Sequence, residues 1–276
     1  MDKTPFLSIV IPAYNEAVRL PLTLNHILSY LAQQSYTAEL LVIDDGSVDN
    51  TVTVLEEMIH QHQNIVVIKN QHRGKGYTVR TGMLAATGKF ILFSDADLAV
   101  PIEELEKLLP YLASGYDIVI ASREGQGACR IGEPYYRHIM GRVFNLIVRM
   151  FALGAFQDTQ CGFKVFKRDA AQHIFSQVLL YGANMKQVKG PAVTGFDVEL
   201  LFLAMKQGYK VKEVPIKWIY KAETKVNPIK DTWRNLMDIV RIRWYDLTGQ
   251  YSVRNHVVTR VVPNSDEQVN PYRSGS

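Results

Sequence analysis

The sequence predicts an α/β fold: a doubly wound, mostly parallel sheet flanked by helices. Two observations carry this. Short apolar runs alternate with segments of helical period five times over about the first 120 of 276 residues. Several of these runs end in acids, glycine or proline, the punctuation expected where a buried strand passes into a helix.

In order, residues 6–11 form the first strand, and Pro12-Ala13-Tyr14-Asn15-Glu16 turns out of it. Leu20, Leu24, Ile27, Leu28 and Leu31 set a helix over 20–33. Residues 39–44 form a strand that runs into Asp44, Asp45, Gly46 and Ser47, and a helix over 52–61 follows. Residues 65–68 make the third strand. His72-Arg73-Gly74-Lys75-Gly76 then leads into a helix over 77–86, closed by Gly88. Residues 89–94 are the fourth strand, ending in Asp95-Ala96-Asp97, and Pro101 opens a helix over 102–112. The fifth strand spans 117–122.

Hydrophobic residues make up 47% of the chain, as in an ordinary globular protein. No apolar run reaches the ~18 residues of a membrane span. The N-terminus carries no signal-peptide pattern, and Cys129 and Cys161 form neither a disulfide framework nor a zinc pattern. A cytoplasmic location without a transmembrane helix is the expectation. Charge is uneven: residues 1–128 hold 9 Lys+Arg against 15 Asp+Glu, and residues 129–276 hold 22 against 12. The second half therefore suits an anionic partner. Nucleic acid is not expected, because no nucleic-acid-binding signature accompanies the charge.

Asp95-Ala96-Asp97 places two acids at the end of a buried strand, on the rim where open α/β sheets bind ligands. Hard cations such as Mg²⁺ and Mn²⁺ take one or two carboxylates together with substrate phosphates. The plainer alternative is a pair of solvated loop acids, one capping the helix after Pro101. Two nucleotide loops are excluded. A P-loop ending at Gly74-Lys75 needs glycine where Lys69 stands and Ser or Thr where Gly76 stands, and Val79 breaks the dinucleotide fingerprint.

Five motifs occur in register: residues 10–16 (VIPAYNE), residues 42–47 (VIDDGS), Gly74-Lys75-Gly76, Asp95-Ala96-Asp97 and residues 158–164 (DTQCGFK). Together they resemble family 2 glycosyltransferases of the GT-A fold, over roughly residues 6–245. The last motif resembles the dolichyl-phosphate glucosyltransferase and dolichol-phosphate mannose synthase branch. The resemblance implies one glycosyltransferase domain over 1–250, with a nucleotide-sugar half at 1–122 and an acceptor half at 123–250. Residues 251–276 read as a polar tail.

On the donor side, the resemblance implies that Pro12, Ala13, Tyr14 and Glu16 contact base and ribose, and that Asp44 and Asp45 lie at the base edge. It implies Ala96 and Gln160 near the sugar or phosphates, and Asp95 and Asp97 holding Mg²⁺ or Mn²⁺, while Lys75, flanked by two glycines, can approach a pyrophosphate or base or stand as a solvated turn lysine. Residue chemistry agrees, since a carboxylate accepts from a base N–H and an aromatic ring offers a stacking face. Strand termination by Pro12 and helix capping by Asp44 or Asp45 are the structural alternatives. One departure stands out: mannose synthases of this branch often carry Gln as a further metal ligand where this chain has Ala99.

On the acceptor side, the resemblance implies that Arg123, Arg137, Lys164 and Lys225 grip phosphate groups, a task suited to permanently charged, bidentate guanidinium. Asp197 begins a helix, where a carboxylate is favoured by the dipole, so capping and catalysis both fit it. Cys161 is expected to pack. Residues 135–156 are apolar but interrupted by Arg137, Arg142 and Arg149. Trp233, Leu236, Met237, Val240, Trp244 and Leu247 repeat the pattern beside Arg234, Arg241 and Arg243. Both segments suit helices lying at a membrane surface, or core helices with arginines at their edge.

The expected reaction is inverting transfer of a hexose from a UDP or GDP sugar to a polyprenyl phosphate, with Asp97, Arg123 and Asp197 at the chemistry. The expected location is the inner face of the membrane, peripherally. Two alternatives remain at this stage: transfer to a saccharide hydroxyl with Asp197 as base, and a non-catalytic nucleotide-sugar-binding adaptor at the membrane.

Overall fold

The computed structural model describes residues 4–135, 138, 141, 142, 156–189, 195–221 and 228–251, with backbone alone for 228–232. Arg137, Lys225, most of the apolar segment 135–156 and the tail beyond Tyr251 lie outside the described residues.

The elements are β1 (Leu7–Ala13), α1 (Leu20–Leu31), β2 (Ala38–Asp44), α2 (Thr51–Gln61), β3 (Ile65–Lys69), α3 (Lys75–Ala85), β4 (Phe90–Ser94), α4 (Leu105–Ala113) and β5 (Ile118–Ser122). There follow β6 (Cys129–Ile131), β7 (Phe163–Lys167), α5 (Arg168–Gln177), α6 (Phe196–Lys206), β8 (Val211–Pro215), β9 (Lys217–Ile219) and α7 (Pro228–Leu247). Seven strands form one sheet in the order β3-β2-β1-β4-β7-β5-β8. Its pairs are parallel except the two made by β7.

Successive strand residues feed opposite layers, as a pleated strand dictates. Val10, Ile43 and Phe93 face α3, α5, α6 and α7 through Met83, Phe175, Leu201 and Ile239. Ile9, Ile11 and Leu92 face α1, α2 and α4 through Leu24, Leu55 and Leu108. Both faces are therefore buried, which is why the strands read as near-continuous apolar runs.

Two strand expectations change. β1 does not stop before Pro12: Pro12 and Ala13 pair with Ile43 and Asp44. The neighbouring β4 pairs only with Leu7–Val10, so the ladder on that flank has ended before the proline and asks for no N–H from it. The second change is β7, a strand that the sequence pattern does not signal, which enters the sheet antiparallel between β4 and β5.

α7 has two contrasting faces. Asn235, Asp238, Ile239 and Ile242 are buried against the body. Trp233, Met237, Val240, Trp244 and Leu247 form an exposed apolar stripe, with exposed Arg234, Arg241 and Arg243 among them. Among the described residues no helix is long and apolar enough to cross a membrane.

Candidate active site

Parallel β1, β2 and β4 deliver Tyr14, Asp45 and Asp95 to one edge of the sheet. β7 runs the other way, so the loop leading into it, residues 158–162, arrives at that same edge. The pairing of Ser94 with Phe163 sets Gly162 beside Asp95, whose N–H donates to the Gly162 carbonyl at 3.1 Å. Arg123 leaves β5 and Asp197 starts α6 on this rim as well. The β6–β9 ribbon is tied to it where Ile219 N–H donates to the Ala99 carbonyl at 2.7 Å.

Lys75 Nζ lies 2.6 Å from Asp95 Oδ1. Burial works against the Lys75 charge, but Asp95, Asp197 and Asp97 outweigh it and hold its pKa above the ordinary lysine value. Asp97 accepts the Ala99 N–H at 3.0 Å. Its pKa is raised by burial and then by the Asp95 charge. Gly162 leaves room for this carboxylate, since a Cβ on that residue would overlap Asp95 as it stands.

Deeper in the site, Lys164 is fully buried and donates to Asp197 Oδ1 at 2.5 Å and to the Cys161 carbonyl at 2.6 Å. Its ammonium, expected at an acceptor phosphate, sits beneath the rim against Asp197. Burial raises the Asp197 pKa, against the opposing pull of Lys164 and Lys75. Arg123 is likewise committed. Its Nε and Nη2 fork onto Asp158 at 2.7 and 2.8 Å, and its backbone N–H adds a third bond at 2.9 Å. Burial opposes the Asp158 charge, but Arg123 prevails and lowers its pKa to about 2. The pair braces the 158–162 loop. Gln160 belongs to that loop, its N–H directed at Asp158 Oδ1 at 3.3 Å. Cys161 is buried, its thiol pushed up to about 12 mainly by desolvation, which agrees with a packing role.

On the β1–β2 side, Tyr14 stacks on His72 with centroids 4.0 Å apart and planes 2° apart. His72 Nδ1 lies 2.8 Å from Asp45 Oδ2, and Asp45 also accepts the N–H groups of Arg73 and Gly74 at 2.9 Å each. Asp45 thus folds the loop that presents Lys75, with Gly74 at φ 92°. Asp44 is buried and closes the Gly46-Ser47 turn with bonds of 3.1 Å to both N–H groups, so its carboxylate faces the turn. The Glu16 carboxylate lies 3.6 Å from Arg19. Ala96 is buried, and its carbonyl accepts from Thr23 Oγ1 at 2.6 Å. His72, Gly162 and the Lys164–Asp197 pair were not foreseen as site elements. The His72–Gly76 and Asp158–Lys164 motifs were visible in the sequence, but not the partners they take.

Among the described residues no group of three or more His, Cys, Asp or Glu converges as a metal cage. Asp95 and Asp97 nevertheless fit a hard cation shared with a diphosphate, which needs only one or two carboxylates. Asp95 Oδ1 supports this: it is shielded from water and already faces a cation, the ammonium of Lys75.

The sequence model of glycosyl transferase family 2 matches residues 8–175. The chain is 36% identical over 237 residues to a dolichyl-phosphate beta-glucosyltransferase of Drosophila melanogaster, covering 80% of this chain and 69% of that protein. A protein of the same name from Dictyostelium discoideum is 31% identical over 264 residues, covering 91% and 77%. Among solved structures, glucosyl-3-phosphoglycerate synthase from Mycobacterium tuberculosis in complex with Mn²⁺ and UDP-glucose superposes with a TM-score of 0.60 at 17% identity. That match covers 87% of this chain and 79% of the other, and shares the fold.

Proposed function

Because the chain belongs to glycosyl transferase family 2 and is a glycosyltransferase, we propose that it moves a hexose, with inversion, from a nucleoside-diphosphate sugar to a polyprenyl phosphate. The observation carrying this reading is the convergence of Asp95, Asp97 and Lys75 on one rim, above the buried Asp197–Lys164 pair. The names of the two relatives support dolichyl phosphate as acceptor and glucose as the sugar. The Mn²⁺ and UDP-glucose of the structural neighbour support a UDP donor and a divalent ion. Ala99 stands where mannose synthases of the resembled branch often carry a liganding Gln, which weakens kinship with that group.

In this reading Asp95 and Asp97 hold Mg²⁺ or Mn²⁺. Such an ion would offset charge gathering on the nucleoside diphosphate as the sugar–oxygen bond breaks. Tyr14 and Asp45 flank the base, with Pro12, Ala13, Asp44 and Glu16 shaping that end, and Lys75 meets the diphosphate. Gln160, on the loop braced by Arg123, lies toward the sugar, and Arg137 and Lys225 take the acceptor phosphate. A phosphate monoester has its second pKa near ~6 and arrives as an oxyanion, so it needs no base from the protein. Positioning and charge compensation then supply the catalysis. A saccharide hydroxyl acceptor would need a base, and one observation favours that second reading: Asp197 is a carboxylate of the site whose pKa burial raises above the ordinary value, against the pull of Lys164 and Lys75.

The exposed stripe of α7 and its arginines support a peripheral position on an anionic membrane surface at the cytoplasmic face. UDP- and GDP-hexoses tested with Mn²⁺ and a short polyprenyl phosphate decide among these readings. The expected product is the glucosylated lipid phosphate from UDP-glucose, lost on chelation and in Asp97→Ala. Transfer to a free saccharide but not to the lipid phosphate would replace the acceptor assignment.

A further inference from the structure

Lys75 is the first residue of α3, set between Gly74 and Gly76. Its ammonium lies 2.6 Å from Asp95 Oδ1 and 5.5 Å from the centre of the Phe93 ring. The charges of Asp197 and Asp97 act on the same ammonium. On the other side of the carboxylate, Oδ2 backs onto Gly162. A side-chain cation of this chain therefore stands against one carboxylate of the rim, within the field of two more. A divalent ion approaching Asp95 meets it first, and like charges this close repel strongly in a partly buried site.

From this geometry we infer that Lys75 is an internal competitor of the divalent ion. It holds Asp95 in the free protein and leaves when a nucleoside diphosphate offers it phosphate oxygens, so donor and ion bind as a mutually dependent pair. The inference rests on the reading of Asp95 and Asp97 as ion ligands. Asp97 differs from Asp95, because it is steadied by the Ala99 N–H and feels Lys75 through its charge, whereas Asp95 is the carboxylate paired with it at 2.6 Å. The alternative place for Lys75 is close by. The N-terminus of α3 favours an anion through its free N–H groups and dipole, and a flexible four-carbon stem lets the ammonium follow the phosphate. The coupling is reciprocal: whatever factor the donor lends to the ion, the ion lends to the donor.

Binding of Mn²⁺ to the full chain, followed by the EPR signal of free Mn²⁺, tests this without any turnover. Without nucleotide, Lys75→Met should bind Mn²⁺ on the order of tenfold more tightly than wild type, within the usual range of site-to-site coupling. Lys75→Gln should move the same way, and UDP should raise Mn²⁺ affinity by a smaller factor in both variants than in wild type. Arg19 acts on Asp97 through its charge, so Arg19→Gln measures the loss of any nearby positive charge. Unchanged or weaker Mn²⁺ binding in both Lys75 variants overturns the inference, as does a gain in Arg19→Gln equal to that in Lys75→Met. If no variant binds Mn²⁺ with or without UDP, the ion-ligand reading itself falls and takes the inference with it. If Mn²⁺ binds with UDP and is lost in Asp97→Asn while the Lys75 variants match wild type, the ion reading stands and only the competition is refuted.

Discussion

Replacing Gly162 with alanine should cripple turnover while leaving the fold largely in place. The added Cβ would overlap Asp95 Oδ2 and lie 2.9 Å from Oδ1. The backbone has little room to yield, because the Gly162 carbonyl accepts the Asp95 N–H at 3.1 Å and the next residue, Phe163, is fully buried in β7. The carboxylate must therefore turn away. A misplacement of ~1 Å near the chemistry costs on the order of 100-fold in rate, and overpacking of this kind costs ~1–3 kcal/mol of stability. With ~2–4 °C lost per kcal/mol in a domain of this size, Tm should fall by no more than ~12 °C. Steady-state sugar transfer from the proposed donor at a temperature where both proteins are folded, with Mn²⁺ titration beside it, should show kcat down about 100-fold and weaker Mn²⁺ binding. Wild-type kcat and Mn²⁺ affinity in a folded variant would refute the reasoning. So would a loss of rate that merely tracks the folded fraction.

Lys164→Met leaves Asp197 buried without its partner and should cost about 3–5 kcal/mol in urea unfolding. Lys164→Met/Asp197→Leu should recover part of that stability while staying inactive, and a single-variant cost below ~1 kcal/mol would show that the pair matters little. Asp158 titrates at about 2 in the fold against 3.8 for an unperturbed carboxylate. Its folded value is the lower one, so the stability it lends is complete above roughly pH 4 and is lost as pH falls through about 2. That loss amounts to roughly 2 kcal/mol. Unfolding midpoints measured across this window should flatten in Asp158→Asn, and an unchanged slope would count against the Arg123 pair. Trp233→Ala/Trp244→Ala should lower partitioning onto anionic phospholipid vesicles by tenfold or more, because each large apolar side chain buried is worth ~1.5–3 kcal/mol. Undiminished sedimentation with vesicles would move the docking face off α7.

The alternation of apolar runs and helical segments was enough to place β1 to β5 and α1 to α4, because strands covered on both faces leave an unmistakable pattern. The acids at 45, 95 and 97 could be put on one rim for the same reason: parallel strands share a direction, so their ends share an edge. β7 escaped because it is short and its second residue is a lysine, which reads as solvent-facing unless its partner is known. That partner, Asp197, lies 33 residues away, and periodicity carries no information about pairs at such a distance. Arg123 posed a similar problem. An arginine suited to phosphate and an arginine forked onto a buried carboxylate look alike in a sequence, and only the position of Asp158 separates them. Motifs disclosed where the chemistry gathers, but not which charges neutralise each other inside the protein.

The reversed strand at the middle of the sheet also bears on how the protein is made. β5 touches no earlier strand: its neighbours are β7 and β8, so a ribosome that has released Ser122 has yet to produce either. One flank of β4, with Leu92 and Phe93, likewise waits for residues 163–167. The nascent chain therefore carries two greasy ribbons with open edges, an invitation to mispairing with other chains. A fragment ending at residue 122 would keep that hazard permanently.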